Sequence, residues 1–188
     1  METVFLIFLG ASLMLSLGYL KNRYLGFYGQ SPSDYADARG EAFDLRTHLN
    51  GPIVCEGVIY GPTGRVTSRF VGDFDAVWTG NKGVMTERFV YDSGDEVLRE
   101  WNLTLGNDGH IRATASDVVG EGQGIQSGPT VRLKYKYKLP ENQGGHVLDT
   151  TDWMYLAPNG TIVNRSQFRK YGIKVAELVA TMRRKETA

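Results

Sequence analysis

Acidic side chains recur in segments whose other residues are typical of β-strands. Paired carboxylates can act as general acid and general base when they converge in a cavity. The sequence does not show which of them converge, and acids beside Arg88, Arg99, Arg112 and Arg165 more often form structural ion pairs. We assign no catalytic residue, and enzymatic activity stays open, with Glu87, Asp117 or Asp152 as acid or base. The acids considered are Asp73, Asp75, Glu87, Glu100, Asp117, Asp149 and Asp152.

Three other kinds of chemistry have little support in the sequence: a metal site, cysteine chemistry and a phosphate-binding loop. The histidines His48, His110 and His146 lack the spacing of metal ligands, so we predict neither a metal site nor a cofactor. The single cysteine, Cys55, excludes an intramolecular disulfide and is expected to be a buried, inert thiol. The glycines of residues 119–129 match no phosphate-binding motif and instead predict a long hairpin or a bulged strand.

The aromatic residues favour a binding site. Most of them can pack in a core, but a small β-barrel can also enclose an apolar ligand between aromatic walls. We expect the tryptophans and Tyr137 to wall such a pocket, and Asp152, Asn164 and Arg165 to hold its polar end. An ion pair between Asp152 and Arg165 is an alternative. The predicted ligand-binding residues are Trp78, Glu87, Trp101, Asp117, Tyr137, Asp152, Trp153, Asn164 and Arg165.

The elements that must position these residues are short strands. From residue 52 onward, alternating segments are separated by turn signals such as Asn-Gly and Asp-Gly, which tolerate positive φ. This spacing predicts an antiparallel sandwich or barrel. The clearest strand, residues 131–139, places apolar side chains on one face and four cations on the other. Residues 166–171 predict a helical turn, and residues 173–184 a closing strand.

The N-terminal residues 4–20 are uncharged and almost wholly apolar. A cleaved signal peptide, an uncleaved transmembrane helix and a core helix are the three alternatives. No basic residue precedes the segment, whereas Lys21 and Arg23 follow it, which favours an uncleaved anchor over residues 1–25. The positive-inside rule then places the folded domain in the cytoplasm. Residues 26–42 predict a linker, and residues 43–188 the β-domain.

The overall charge is balanced, with 21 Lys+Arg and 21 Asp+Glu. A nucleic-acid-binding protein usually has a basic excess, so we expect no nucleic-acid partner.

Several runs resemble an uncharacterised bacterial family, domain of unknown function 3833. The resemblance rests on Asp152–Leu156, Asn164–Ser166, Tyr171–Ile173 and Ala115–Gly120, and covers roughly residues 43–183. It implies a lipocalin-like antiparallel β-barrel, and a role linked to membrane lipid modification or stress. Many family members are described as lipoproteins, which implies a periplasmic location. This chain departs from them, because its apolar segment carries no cysteine for a lipid.

Together these features predict a mainly β protein, a lipocalin-like barrel held by one helix in the bacterial inner membrane. The side of the membrane stays open, cytoplasmic by Lys21 and Arg23 or periplasmic by analogy with the lipoproteins. The expected function is binding of a fatty acyl chain or another apolar ligand. The alternatives are an accessory subunit that docks on a membrane protein complex through its helix, and an enzyme acting on a lipid intermediate.

Overall fold

The structure, a computed structural model, describes residues 2–185 apart from the side chain of Asn22. Helix α1 (Glu2–Tyr24) is followed by 3₁₀ turns at Gly26–Tyr28 and Pro32–Tyr35, and by the single-turn helix α2 (Leu45–His48). A third 3₁₀ turn lies at Glu141–Gln143. The strands are β1 (Gly51–Tyr60), β2 (Val66–Thr79), β3 (Lys82–Tyr91), β4 (Glu96–Leu105), β5 (His110–Thr114), β6 (Gly122–Ser127), β7 (Thr130–Lys138), β8 (Val147–Leu156), β9 (Ile162–Lys170) and β10 (Ile173–Arg184).

Within residues 2–185, these ten strands form one closed antiparallel barrel. Each strand pairs with its neighbours in sequence, and β10 pairs with β1 to close the barrel. The predicted barrel and its closing strand are therefore confirmed. Closure also removes the exposed edges that an open sheet would present.

The helical turn predicted for residues 166–171 is wrong, because most of this segment belongs to β9. β9 pairs with β8 on one side and β10 on the other, so both neighbours satisfy its backbone groups. This tertiary pairing outweighs the weak local preference of the segment for a helix.

The glycine-rich segment contains strand β6, which lies between β5 and β7. Gly122 and Gly124 are buried within it. A Cβ atom at Gly124 would lie 2.6 Å from the backbone oxygen of Arg132. The glycines therefore permit close packing of the strands.

Apolar side chains alternate into the barrel interior, and α2 closes one end. Strand β7 keeps the predicted pattern, with Val131 and Leu133 buried and Lys134 exposed. At the closed end, the Trp78 indole N–H donates a hydrogen bond of 2.7 Å to the backbone oxygen of Leu49. This contact anchors the chain that follows α2 against β2.

The segment between α1 and α2 packs on the outer face of β7–β9. Phe27 is buried, and the Arg165 guanidinium lies 5.1 Å from its ring centroid. Farther along, the Tyr35 ring meets Trp153 edge-on, with ring centroids 5.5 Å apart. The segment predicted as a linker is thus partly held against the barrel.

Helix α1 is exposed along its described length. It is long and apolar enough to cross a membrane, a criterion that a signal sequence also meets. Its apolar surface has no partner within the described part of the chain, since the barrel core is built from the strands and α2.

Candidate functional site

A cavity of about 120 Å³ lies inside the barrel. Its lining is mainly apolar and runs from Leu45 and Leu49 at the closed end to Phe89, Phe168 and Leu178 nearer the other end. The lining also carries a group of polar side chains, here called the polar wall. The polar wall consists of Glu87, Arg99, Asp152, Asn164 and Ser166.

Arg99 is the basic member of the polar wall. It lies on β4 in phase with the buried Trp101, so the alternation of the strand turns it inward. Its Nε atom lies 3.0 Å from Asp117 Oδ1. Its guanidinium carbon lies 4.2 Å from the Trp101 ring centroid and 5.5 Å from that of Tyr137. Aromatic faces and one carboxylate therefore hold this cation in place.

Asp152 lies on β8 and is held by the neighbouring strand β9. The Ser166 hydroxyl donates a 2.8 Å hydrogen bond to Asp152 Oδ1, and the Asn164 amide donates to the same oxygen. Burial raises the pKa of Asp152, although these two hydrogen bonds oppose the shift. The group is thus a buried carboxyl with neutral hydrogen-bond donors beside it.

Glu87 lies on β3 directly opposite Arg99 in the register of β3 and β4. Burial raises the pKa of Glu87 from 4.5 to about 7, against the opposing charge of Arg99. Two atoms of this pair, Glu87 Oε2 and Arg99 Nη2, are buried with no hydrogen-bond partner among the described residues. Such atoms are unusual in protein interiors, where an ordered water, an ion or a functional role can account for them.

The raised pKa of Glu87 predicts a pH-dependent stability. Between pH 4.5 and about pH 7, the native carboxyl keeps a proton that the unfolded chain has lost. The free energy of unfolding should therefore fall as the pH rises through this range and level off above it. We expect Glu87→Gln to remove about 2–3 kcal/mol of that fall, measured by urea unfolding of the full chain at pH 5 and pH 8.

Glu100→Gln is the matched control, because Glu100 lies exposed on the outer face of β4. It should leave the pH dependence as in the wild type. A Glu87→Gln protein with an unchanged fall in stability would contradict the assignment of Glu87 as the titrating group. Asp152 accounts for part of the fall that remains, since burial raises its pKa in the same direction.

The structure brings together some of the residues predicted to bind a ligand. Glu87, Trp101, Asp152 and Asn164 line the cavity. Asp117 and Tyr137 are in contact with Arg99 and so adjoin the polar wall. Trp78 packs at the closed end of the barrel. The ligand-binding role of all nine residues stays a prediction.

Trp153 and Arg165 lie on the outer face of the barrel. They face each other across β8 and β9, whereas Asp152 faces Ser166 one position away. Since adjacent residues of a strand point to opposite faces, Asp152 and Arg165 do not form the ion pair considered above. Arg165 instead pairs with Glu177, with Nε and Oε1 separated by 2.5 Å.

Two residues of the polar wall, Arg99 and Ser166, were not among the predicted ligand-binding residues. The signal that could have identified Arg99 is its position within strand β4. It occupies the inward phase of a strand that continues with Trp101, Leu103 and Leu105. A charged residue in an otherwise apolar phase is a candidate for a buried functional group.

The thiol of Cys55 also lines the cavity. Burial raises its pKa, as does the charge of Glu87, so the thiol stays protonated and unreactive, as predicted. Within residues 2–185, no group of three or more His, Cys, Asp or Glu side chains is arranged to hold a metal ion. The polar wall offers hydrogen-bonding groups to a molecule in the cavity.

Comparison with known proteins identifies a family and a shared fold. The model of a family described as "Protein of unknown function (DUF3833)" matches residues 23–184. No curated protein matches the chain in sequence.

Two solved structures show the same lipocalin-like barrel. The S-type phycobiliprotein lyase CPES from Guillardia theta is 11% identical, with a TM-score of 0.57 over 75% of this chain and 90% of the lyase. Rv2717c from M. tuberculosis is 14% identical, with a TM-score of 0.53 over 78% of this chain and 100% of Rv2717c. At these identities the likeness concerns the fold alone.

Proposed function

Because the chain belongs to the DUF3833 family and folds as a lipocalin-like barrel, we propose that it binds an apolar ligand, such as a fatty acyl chain, inside that barrel. The observation that supports this most is the mainly apolar cavity with a polar wall. Each CH₂ group moved from water into such a cavity contributes about 0.8 kcal/mol. A few polar groups then suffice to orient the ligand.

The size of the cavity limits how much of the ligand it encloses. Its volume of about 120 Å³ is close to that of an engineered protein cavity of ~150 Å³ that binds benzene. A short chain or ring fits this space. For a longer acyl chain, Phe89, Phe168 and Leu178 must move apart, because they line the cavity away from the closed end.

The second part of the proposal is attachment to the bacterial inner membrane through α1. The chain returns to the barrel soon after the apolar helix, since Phe27 is already buried against β9. Such a short tether would keep the barrel at the membrane surface, where apolar ligands are concentrated. Lys21 and Arg23 favour the cytoplasmic side, and a reporter fused to the C-terminus would test this orientation.

A bulky substitution at the cavity wall should abolish ligand binding. We expect Leu178→Trp to weaken binding of the apolar dye N-phenyl-1-naphthylamine by more than tenfold, because the indole would fill the cavity. The measurement is dye fluorescence with the full chain in nanodiscs, corrected for empty nanodiscs. Mass spectrometry of the purified wild type would then identify apolar molecules that co-purify.

Val179→Trp is the matched control, since Val179 is the next residue of β10 and does not line the cavity. It should bind the dye as the wild type does. Equal binding by the two variants, with circular dichroism showing both folded, would place the dye outside the barrel and overturn the proposal. Leu133→Trp, from another strand lining the same cavity, repeats the test if Leu178→Trp does not fold.

A further inference from the structure

The polar wall contains two buried hydrogen-bonding atoms, Glu87 Oε2 and Arg99 Nη2. Glu87 Oε2 can accept or, when protonated, donate a hydrogen bond, and Arg99 Nη2 can donate one. Both atoms are buried without a partner among the described residues. Leaving a buried polar atom unpaired costs about 1–3 kcal/mol. A ligand group that pairs with both atoms would recover that cost.

The two side chains are placed to hold one group between them. Glu87 and Arg99 are opposite each other on adjacent strands, and both line the cavity. The unpaired atoms are themselves enclosed, so a ligand would reach them after small rotations of the two side chains. Arg99 can move in this way only slightly, because Asp117 and the Trp101 ring hold its other side.

The charges around this point determine what kind of group fits. Among the described residues, the polar wall and the Asp117 side chain paired with Arg99 carry three carboxyl groups, those of Glu87, Asp117 and Asp152. They carry one guanidinium, that of Arg99. An anionic head would add negative charge to a buried site in which three carboxyl groups already surround one cation. A group without charge meets no such repulsion and can still bond to both atoms.

We propose that the polar end of the ligand is an uncharged group that both donates and accepts a hydrogen bond, a hydroxyl or a protonated carboxylic acid, held between Glu87 and Arg99. The inference rests on the proposed function and specifies its ligand class. The group accepts from Arg99 Nη2 and shares a hydrogen bond with Glu87 Oε2. The chain attached to it occupies the apolar part of the cavity.

Glu87 changes its protonation within the pH range in which the proposal is tested, so its surroundings bear on the result. The positive charge of Arg99 favours ionisation, and Asp117 and Asp152 oppose it. Neutral groups that interact with Glu87 come from β1 and β7 and from its own strand β3. The titratable and charged groups that face Glu87 are Cys55 on β1, Tyr91 on β3, Arg99 on β4, Asp117 after β5, Tyr135 on β7 and Asp152 on β8.

The test compares ligands of similar length and different heads, through displacement of N-phenyl-1-naphthylamine from the full chain in nanodiscs. At pH 8, 1-octanol should bind about tenfold more tightly than 1-methoxyheptane, which accepts but cannot donate. It should also bind about tenfold more tightly than octanoate. At pH 5, where octanoic acid is partly protonated, the acid and the alcohol should bind within about threefold of each other.

Variants of Glu87 connect this preference to the proposed site. Glu87→Gln should keep the preference for 1-octanol over 1-methoxyheptane, because an amide also donates and accepts. Glu87→Leu should abolish that preference while leaving the affinity for 1-methoxyheptane within about threefold. Glu100→Leu, on the outer face of the neighbouring strand, is the control and should resemble the wild type.

The outcomes separate the two proposals. If neither the dye nor any of the three ligands binds, the proposed function fails, and this inference with it. Equal binding of all three ligands would leave apolar-ligand binding intact and overturn the inference about the head. Tightest binding of octanoate at pH 8 would also overturn it, since Arg99 would then recognise an anion.

Discussion

Replacing Arg99 with methionine is expected to lower the free energy of unfolding by about 3 kcal/mol. The substitution removes the cation that faces Asp117 and Glu87, and it leaves Glu87 buried without its neighbouring positive charge. It also removes the contact of the guanidinium with the Trp101 ring at 4.2 Å. Urea unfolding of the full chain in mild detergent, followed by circular dichroism at pH 7, measures the loss.

The ion pair of Arg88 with Glu96 provides the comparison. Its N–O distance of 2.6 Å is shorter than the 3.0 Å between Arg99 and Asp117, but both of its side chains are about half exposed. Water screens such a pair, so Arg88→Met should cost less than about 1 kcal/mol. Equal losses for Arg88→Met and Arg99→Met would show that the interior position of Arg99 has no special energetic role. The double substitution Arg99→Met/Asp117→Leu should recover part of the loss, because it also removes the unpaired carboxylate.

The second large effect is expected at Trp153, which is 1% exposed although it lies on the outer face of the barrel. Trp153→Ala should lower the free energy of unfolding by about 3–5 kcal/mol, because it leaves a cavity beneath the N-terminal segment. The Tyr35 ring would lose its edge-on contact with the indole. We also expect faster proteolysis within residues 26–42, measured by limited digestion.

Trp153→Ala should leave the affinity for the naphthylamine dye unchanged, since Trp153 does not line the cavity. Trp101→Ala provides the contrast, because Trp101 is equally a buried tryptophan but lines the cavity. It should be destabilising and should change dye binding as well. If Trp153→Ala weakened dye binding more than Trp101→Ala did, the binding site would lie on the outer face instead.

The polar residues of the site could be predicted in part from strand periodicity. Asp152 falls in the same phase as Leu148 and Met154, and Glu87 in the same phase as Met85, so each is a polar residue on an apolar face. The barrel confirms that these phases point inward. The large apolar side chain of Trp153 is typical of a core, but it does not line the cavity, and its binding role stays a prediction. Trp153 directly follows Asp152 on β8, so its side chain points to the outer face of the barrel.

The alternation of side chains along a strand does not show which outward-facing residues are covered by another part of the chain. The outer faces of β7–β9 contain the buried Trp153 and the partly exposed Arg165, and both are contacted by residues 26–36, which are distant in sequence. Their packing follows from the tertiary fold, since the segment has only short 3₁₀ turns of its own. The sequence therefore does not distinguish a free linker from a segment that packs against the barrel.

By itself, the sequence determined the family, the succession of hairpins, the closing strand and an apolar N-terminal helix. These features depend on local turn chemistry and on side-chain alternation, which act over few residues. Only the tertiary structure decided that Glu87, Arg99 and Asp152 share one cavity, and that Arg165 pairs with Glu177 outside it. The reason is that barrel closure and strand register bring residues from distant strands together, and neither is encoded in any one segment.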